Sequence, residues 1–360
     1  MNPKPGIETI HPYQGGKPIE EVQREFGIDD IIKLASNENP LGPSPLAKEA
    51  IKRTAAEVNL YPDGNAYYFK NELAKHLGVP PDYLIFGNGS NDVLQIVGET
   101  YISPGDEVIY SESAFVVYML VSKICGAKSV VTPRRDYAHD LDAMADAITD
   151  TTKVIFIANP NNPTGTMVTK AETERLMARV PDDVLVVFDE AYYEYVERPD
   201  YPQTLPYVEE GRNVIITRTF SKIYGLAGLR IGYGIAKPAT IEMMNRVRQP
   251  FNCNLIAQAA GRAALNDADH VRLSLELNAA GKVYLYEALE RLGLEYVETE
   301  GNFILVQLGR SGQEVADALM RKGVIVRPME AYGFPNAVRV TIGKPDDNKR
   351  FITSLREVLN

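Results

Sequence analysis

Tryptophan is absent from these 360 residues, and cysteine is nearly so. The two cysteines, Cys125 and Cys253, lie far apart and lack metal-ligand spacing, which excludes a disulfide framework and fits a reducing, cytoplasmic setting. Nowhere do eighteen apolar residues run together, so no membrane span is expected. Residues 1–8 hold no apolar core of a secretory leader, and no signal peptide is expected either. The four histidines (His11, His76, His139 and His270) show no metal spacing, and no metal is assigned. Excess positive charge is also missing. A net charge of −10 argues against a nucleic-acid partner, because a phosphate backbone demands a basic face. Small anionic substrates need only a local cluster of arginines.

What is present is an ordinary globular composition, 45% hydrophobic and 24% charged, in a chain long enough for two domains. Residues 1–42 are rich in glycine and proline, hold one short helical stretch at 19–26, and read as an arm packed with the small domain. From 43 to 250 short apolar runs alternate with helix-length segments: 107–111, 129–133, 154–158, 184–188, 214–217 and 231–236. Such β-branched runs predict an α/β domain with a mostly parallel sheet covered by helices on both faces. Residues 251–360 change to long helices, 254–265 and 270–292. Then come strand-like 303–308, a helix at 313–322, and strands at 324–327 and 337–342, which together predict a smaller α+β domain.

Ligands of mostly parallel sheets sit at the carboxyl ends of the strands, and four polar loops fall there. Phe86-Gly87-Asn88-Gly89-Ser90-Asn91-Asp92 precedes an apolar-periodic helix, where glycines let an anion approach the helix amides. A plain side-chain cap by Ser, Asn or Asp explains the same residues. Asn159-Pro160-Asn161-Asn162-Pro163-Thr164-Gly165-Thr166 ends the run 154–158, with amides to donate to a phenolate oxygen or, more simply, a rigid turn. Asp189 closes the run 184–188 and is followed by Glu190-Ala191-Tyr192. Lys222 lies in Thr219-Phe220-Ser221-Lys222-Ile223-Tyr224-Gly225, with Arg230 eight residues on. Most lysines are solvated surface charges. An amine nucleophile and a buried carboxylate at the ends of separate strands, however, form the pair that pyridoxal 5′-phosphate needs. The lysine holds the aldehyde as a Schiff base, and the carboxylate keeps the pyridine nitrogen protonated.

These motifs come in a characteristic order, together with His11-Pro12-Tyr13, Leu34-Ala35-Ser36-Asn37-Glu38-Asn39-Pro40-Leu41-Gly42, Tyr61-Pro62-Asp63-Gly64, Gly333-Phe334-Pro335-Asn336 and Val338-Arg339-Val340-Thr341-Ile342-Gly343. Over nearly its whole length the chain resembles the fold-type I, aspartate-aminotransferase-like enzymes, and more closely their histidinol-phosphate aminotransferase branch. The resemblance implies a large domain with a seven-stranded sheet, pyridoxal 5′-phosphate as cofactor, and Lys222 as its Schiff-base residue and proton carrier. It implies Asp189 at the pyridine nitrogen, Asn162 and Tyr192 at the 3′-oxygen, and Ser90, Asn91, Thr219, Ser221 and Arg230 around the phosphate. Phe115 falls where the family stacks a ring on the pyridine, with Tyr118 as second choice. Tyr61 reaches the cofactor phosphate of a neighbouring subunit, which implies a homodimer.

On the substrate side the resemblance implies Tyr13, Asn37, Arg327 and Arg339, the arginines taking the two anionic ends. A pair of surface arginines on strand ends is the plainer reading of Arg327 and Arg339. The expected activity is ping-pong amino transfer between L-histidinol phosphate and 2-oxoglutarate, giving imidazole-acetol phosphate and L-glutamate. An aromatic amino-acid aminotransferase and a threonine-phosphate decarboxylase share these motifs. A non-catalytic cofactor-binding regulator lacks support, because no basic helix-turn-helix segment precedes the fold.

Overall fold

Apolar runs without polar alternation make strands that must be covered on both faces. In the computed structural model, which describes residues 2–12 and 15–360, seven strands form one sheet. In chain order they are β1 (Leu84–Gly87), β2 (Glu107–Ser111), β3 (Lys128–Thr132), β4 (Thr152–Ala158), β5 (Leu185–Asp189), β6 (Val214–Thr219) and β7 (Gly232–Ala236). Their spatial order is β1-β7-β6-β5-β4-β2-β3. Only β7 runs antiparallel to its neighbours. Six of these strands coincide with the apolar runs apart from their ends. The seventh, β1, has four residues, all buried, too short to stand out ahead of its glycine motif. Side chains of β4 alternate between two cores: Ile155 and Ile157 face one, Val154 and Phe156 the other.

The second sheet is antiparallel, in the order Tyr296–Val297, Phe303–Gln307, Ala337–Thr341, Arg327–Pro328. Helices Gly312–Arg321 and Pro345–Leu359 cover it, with Ile304, Leu319, Val340 and Phe351 fully buried between them. The N-terminal arm reaches this domain through Ile32–Lys33, which pairs in parallel with Val324–Ile325, and through Val22 and Ala35 against Met320 and Ile325. Ahead of that, Thr9 accepts a hydrogen bond from Lys123 Nζ at 2.8 Å, so the arm also touches the large domain.

Helix Leu255–Leu265 does not belong with the small domain. Ala257, Ala260 and Ala264 are buried in the large core, and Gly261 lies so close to the Phe69 ring that a Cβ there would sit 2.6 Å from it. The next helix, Ala268–Arg291, packs Val271 and Leu275 on the large core and buries Leu285 and Leu289 in the small one. We therefore place the passage between domains within this helix, beyond the boundary expected near residue 250.

Candidate active site

Parallel register aligns Ala158, Asp189 and Thr217 in one row at the carboxyl ends of β4, β5 and β6. The smallest of the three leaves room above the strand ends, and the other two meet: Thr217 Oγ1 donates to Asp189 Oδ1 at 3.2 Å. Tyr118, fully buried on helix Val117–Cys125, donates its hydroxyl to Asp189 Oδ2 at 2.9 Å. Burial pushes the Asp189 carboxyl up to about 6, and the two hydroxyl donors pull the other way. A positively charged partner would favour the ionised form of such a carboxylate. Tyr118 is thus engaged with the carboxylate, while Phe115, just ahead of the helix, lines the cavity.

Lys222 follows the end of β6, and its Nζ donates to the Ser36 carbonyl at 3.2 Å. Desolvation lowers its amine to about 7, helped by Arg339 and Arg230. A large neutral fraction at physiological pH is the requirement for a lysine that attacks a carbonyl.

The turn from β1 into helix Ser90–Tyr101 leaves the first helix amides without a side-chain cap. Its N-cap is Gly89, with no side-chain cap, so the side-chain cap expected as the simpler reading does not form. Asp92 instead accepts from Asn88 N at 2.8 Å and Asn252 Nδ2 at 2.7 Å. A Cβ on Gly89 would lie 2.4 Å from Arg230 Nη2, and one on Gly232 2.3 Å from Ser90 N. Both glycines keep a space in which Arg230 faces the helix start. Arg230 itself has φ 57°, uncommon for a residue with a side chain, and donates to Ser221 Oγ at 3.3 Å and the Ala227 carbonyl at 3.1 Å.

The opposite wall comes from the arm and the small sheet. Arg327 and Arg339 stand opposite each other in antiparallel register, and both line the cavity. Like charges so placed repel, and an anion between or beside them relieves this. Arg339 donates to Asn162 Oδ1 and, at 2.8 Å, to the Ala35 carbonyl. Asn37, at φ 55°, donates to the Tyr192 hydroxyl at 2.9 Å and takes its own position from Thr341 and Asn302.

One cavity of about 250 Å³ thus gathers Ser90, Asn91, Phe115, Asn162, Asp189, Tyr192, Thr219, Ser221, Lys222, Arg230, Asn37, Arg327 and Arg339. Tyr61 is elsewhere, 82% exposed and stacked on Phe251 with ring centroids 4.8 Å apart. Tyr13 lies outside the described residues. Sequence reasoning passes over Gly16, Glu38 and Tyr332, which also line the cavity, and over Thr217. Thr217 lies inside β6, where only the register with Asp189 in the fold marks it out. Both Asn159-Pro160 and Asn162-Pro163 are cis. Among the described residues no group of His, Cys, Asp and Glu could hold a metal ion, and no helix is long and apolar enough to cross a membrane.

A family model, aminotransferase class I and II, matches residues 29–355. The chain belongs to this family. Histidinol-phosphate aminotransferase of Moorella thermoacetica is 53% identical, over 98% of this chain and 92% of that one. Histidinol-phosphate aminotransferase 1 of Cupriavidus pinatubonensis is 51% identical, over 98% and 95%. Among solved structures, histidinol-phosphate aminotransferase from Sinorhizobium meliloti, in complex with pyridoxal-5′-phosphate, superposes with a TM-score of 0.91. It is 28% identical, covering 99% of this chain and 97% of that one. An aminotransferase works on donor and acceptor in turn at one site, and here the two arginines and Lys222 share one cavity.

Proposed function

We propose that this aminotransferase binds pyridoxal 5′-phosphate and transfers the amino group of L-histidinol phosphate to 2-oxoglutarate, giving imidazole-acetol phosphate and L-glutamate. The observation that carries the reading is the register-opposed pair Arg327 and Arg339 in the cavity of Lys222. Both substrates bring an anionic end in addition to the reacting carbon, and the arginines supply bidentate donors for it. The relatives at about half identity over nearly the full chain support the same choice.

The donor set fits the cofactor. The glycine-lined space between Arg230 and the uncapped helix start suits a phosphate, with Ser90, Asn91, Thr219 and Ser221 supplying donors. Asp189 would hold the ring nitrogen, Asn162 and Tyr192 the ring oxygen, and Phe115 one face of the ring. When bound, the cofactor supplies an aldehyde that takes up amines and an electron-poor ring that accepts the electron pair released at the substrate α-carbon.

The chain's own residues do the rest. Lys222 Nζ, in good part neutral at pH 7, would carry a proton between the substrate α-carbon and the carbon that bears the cofactor's aldehyde. Asp189 holds a positive charge in place, with Tyr118 and Thr217 fixing its two oxygens. Arg339, tied to Asn162 and the Ala35 carbonyl, presents a positioned guanidinium to one anionic group, and Arg327 meets the second. A homodimer acting in the cytoplasm is part of the proposal. The exposed Tyr61–Phe251 stack, with Val58, Leu60, Tyr67 and Tyr68 also exposed, supports self-association that brings Tyr61 to a neighbouring site.

The test is glutamate formation from L-histidinol phosphate and 2-oxoglutarate by the purified chain loaded with pyridoxal phosphate. L-phenylalanine and L-threonine phosphate serve as competing substrates. Turnover should be fastest with histidinol phosphate and absent from a folded Lys222→Ala variant. Faster turnover of phenylalanine, or carbon dioxide released from threonine phosphate, would replace the substrate in this reading.

A further inference from the structure

The loop that carries Lys222 is held by a side chain that the proposed mechanism does not use. Asn39 is buried, and all its amide hydrogen-bonding groups are engaged. Its Nδ2 donates to the Ile223 carbonyl at 2.7 Å and to Ser274 Oγ at 2.8 Å, and its Oδ1 accepts from Leu41 N at 2.9 Å. An asparagine NH₂ has two hydrogens, and here both are placed. Ser274 passes its own hydrogen to the His270 carbonyl at 2.8 Å, and His270 Nε2 lies 3.0 Å from the Gly42 carbonyl. Both residues belong to helix Ala268–Arg291, which runs from one core into the other.

The same short segment grips the lysine loop at three places. Ser36 offers its carbonyl to Lys222 Nζ, Asn39 fixes the carbonyl of the next residue, and Gly42 closes on Gly225. A Cβ on Gly225 would sit 2.2 Å from the Gly42 oxygen, so the two backbones touch directly. Within this segment it is the Asn39 side chain that bridges the lysine loop and the helix, one amide hydrogen to each.

We infer that Asn39 is a positioning residue for Lys222, its amide tying the loop that carries the lysine to the helix joining the two domains. The inference rests on the reading that Lys222 is the reactive amine. A fully satisfied buried network of this kind holds its members rigidly, and a displacement of about 1 Å at a reacting group costs on the order of a hundredfold in rate. Loss of the tie frees the Ile223 carbonyl, lets the loop relax and lets water reach the amine.

The experiment follows Lys222 itself, with and without turnover. Protein free of cofactor is treated with a small acylating reagent across a pH series, and modification of Lys222 is read by mass spectrometry. Parent protein should react at Lys222 with a midpoint near neutral pH, whereas Asn39→Ala should shift that midpoint upward and lower kcat about tenfold to a hundredfold, with KM changed much less. An unshifted midpoint with normal kcat, whatever the melting temperature, overturns the inference. If Asn39→Ala does not fold, Ser274→Ala tests the tie from the helix side. It should give a smaller upward shift, and none at all overturns the inference. Should the parent's Lys222 react as an ordinary surface lysine, the underlying reading of Lys222 fails, an outcome distinct from failure of the Asn39 variants.

Discussion

Tyr118 donates its hydroxyl to Asp189 Oδ2 across 2.9 Å, from the helix Val117–Cys125. The bond opposes the effect of burial, which on its own drives the carboxyl upward. Hydrogen bonds to charged groups contribute about 1.5–3 kcal/mol, so Tyr118→Phe should weaken pyridoxal-phosphate binding about tenfold to a hundredfold at pH 7. Because the lost donor favoured the ionised form, affinity should recover as pH is raised. Fluorescence titration at several pH values measures both effects, and a loss that is the same at every pH would contradict the assigned cause.

Lys222 gives a stability prediction with a definite sign. Its folded value, about 7, lies below the ordinary 10.5 of a lysine in an unfolded chain. Between those values the unfolded chain binds the additional proton, so this group's contribution to stability improves as pH rises through the window. In protein free of cofactor, Lys222→Met should therefore melt above the parent below pH 7. The difference should shrink steadily toward pH 10.5. Calorimetry across that range decides it, and a constant difference would mean the amine is not depressed.

Gly89→Ala places a methyl group 2.4 Å from Arg230 Nη2 at a backbone φ of +83°. The guanidinium must move out of the space proposed for the cofactor phosphate. Affinity for pyridoxal phosphate should fall by roughly the worth of one charge-assisted contact, about tenfold or more, while affinity for pyridoxal without its phosphate changes little. Equal losses for the two compounds would point to general damage.

The arginine pair should divide by substrate. Arg339→Lys keeps the charge and loses the planar fork that reaches Asn162 and the Ala35 carbonyl. KM for 2-oxoglutarate should rise about tenfold to a hundredfold. Arg327→Met should raise KM for histidinol phosphate more than for 2-oxoglutarate. Steady-state kinetics with each substrate varied in turn tests both, and identical effects on the two substrates would refute the division.

Much of this site is legible in the sequence because its residues end apolar runs. Asp189 and Lys222 stand out where a buried strand meets a polar loop, and Gly87 and Gly89 announce a backbone that must approach something closely. Thr217 and Tyr118 give no such signal. Inside a strand and a helix, local pattern asks only that they be buried, and their hydroxyls acquire meaning from register and packing. Strand β1 escapes notice for want of length, and the alanines of helix Leu255–Leu265 suit either core, so pattern alone assigns it to the wrong one. Asn39 lies in a motif that carries the family likeness, yet its partners Ile223 and Ser274 are far along the chain.

Helix Ala268–Arg291 has one end in each core, and its 24 residues make a rod about 36 Å long at 1.5 Å per residue. Such a rod acts as a lever. A tilt of about 5° at the large-core end carries the other end roughly 3 Å, by the same helical dimensions. Arg327 and Arg339 sit on the small sheet and Lys222 on the loop after β6, with the Arg339–Asn162 hydrogen bond joining the two sides. The spacing between those two arginines and Lys222 across the shared cavity thus depends on how one helix is set between two cores.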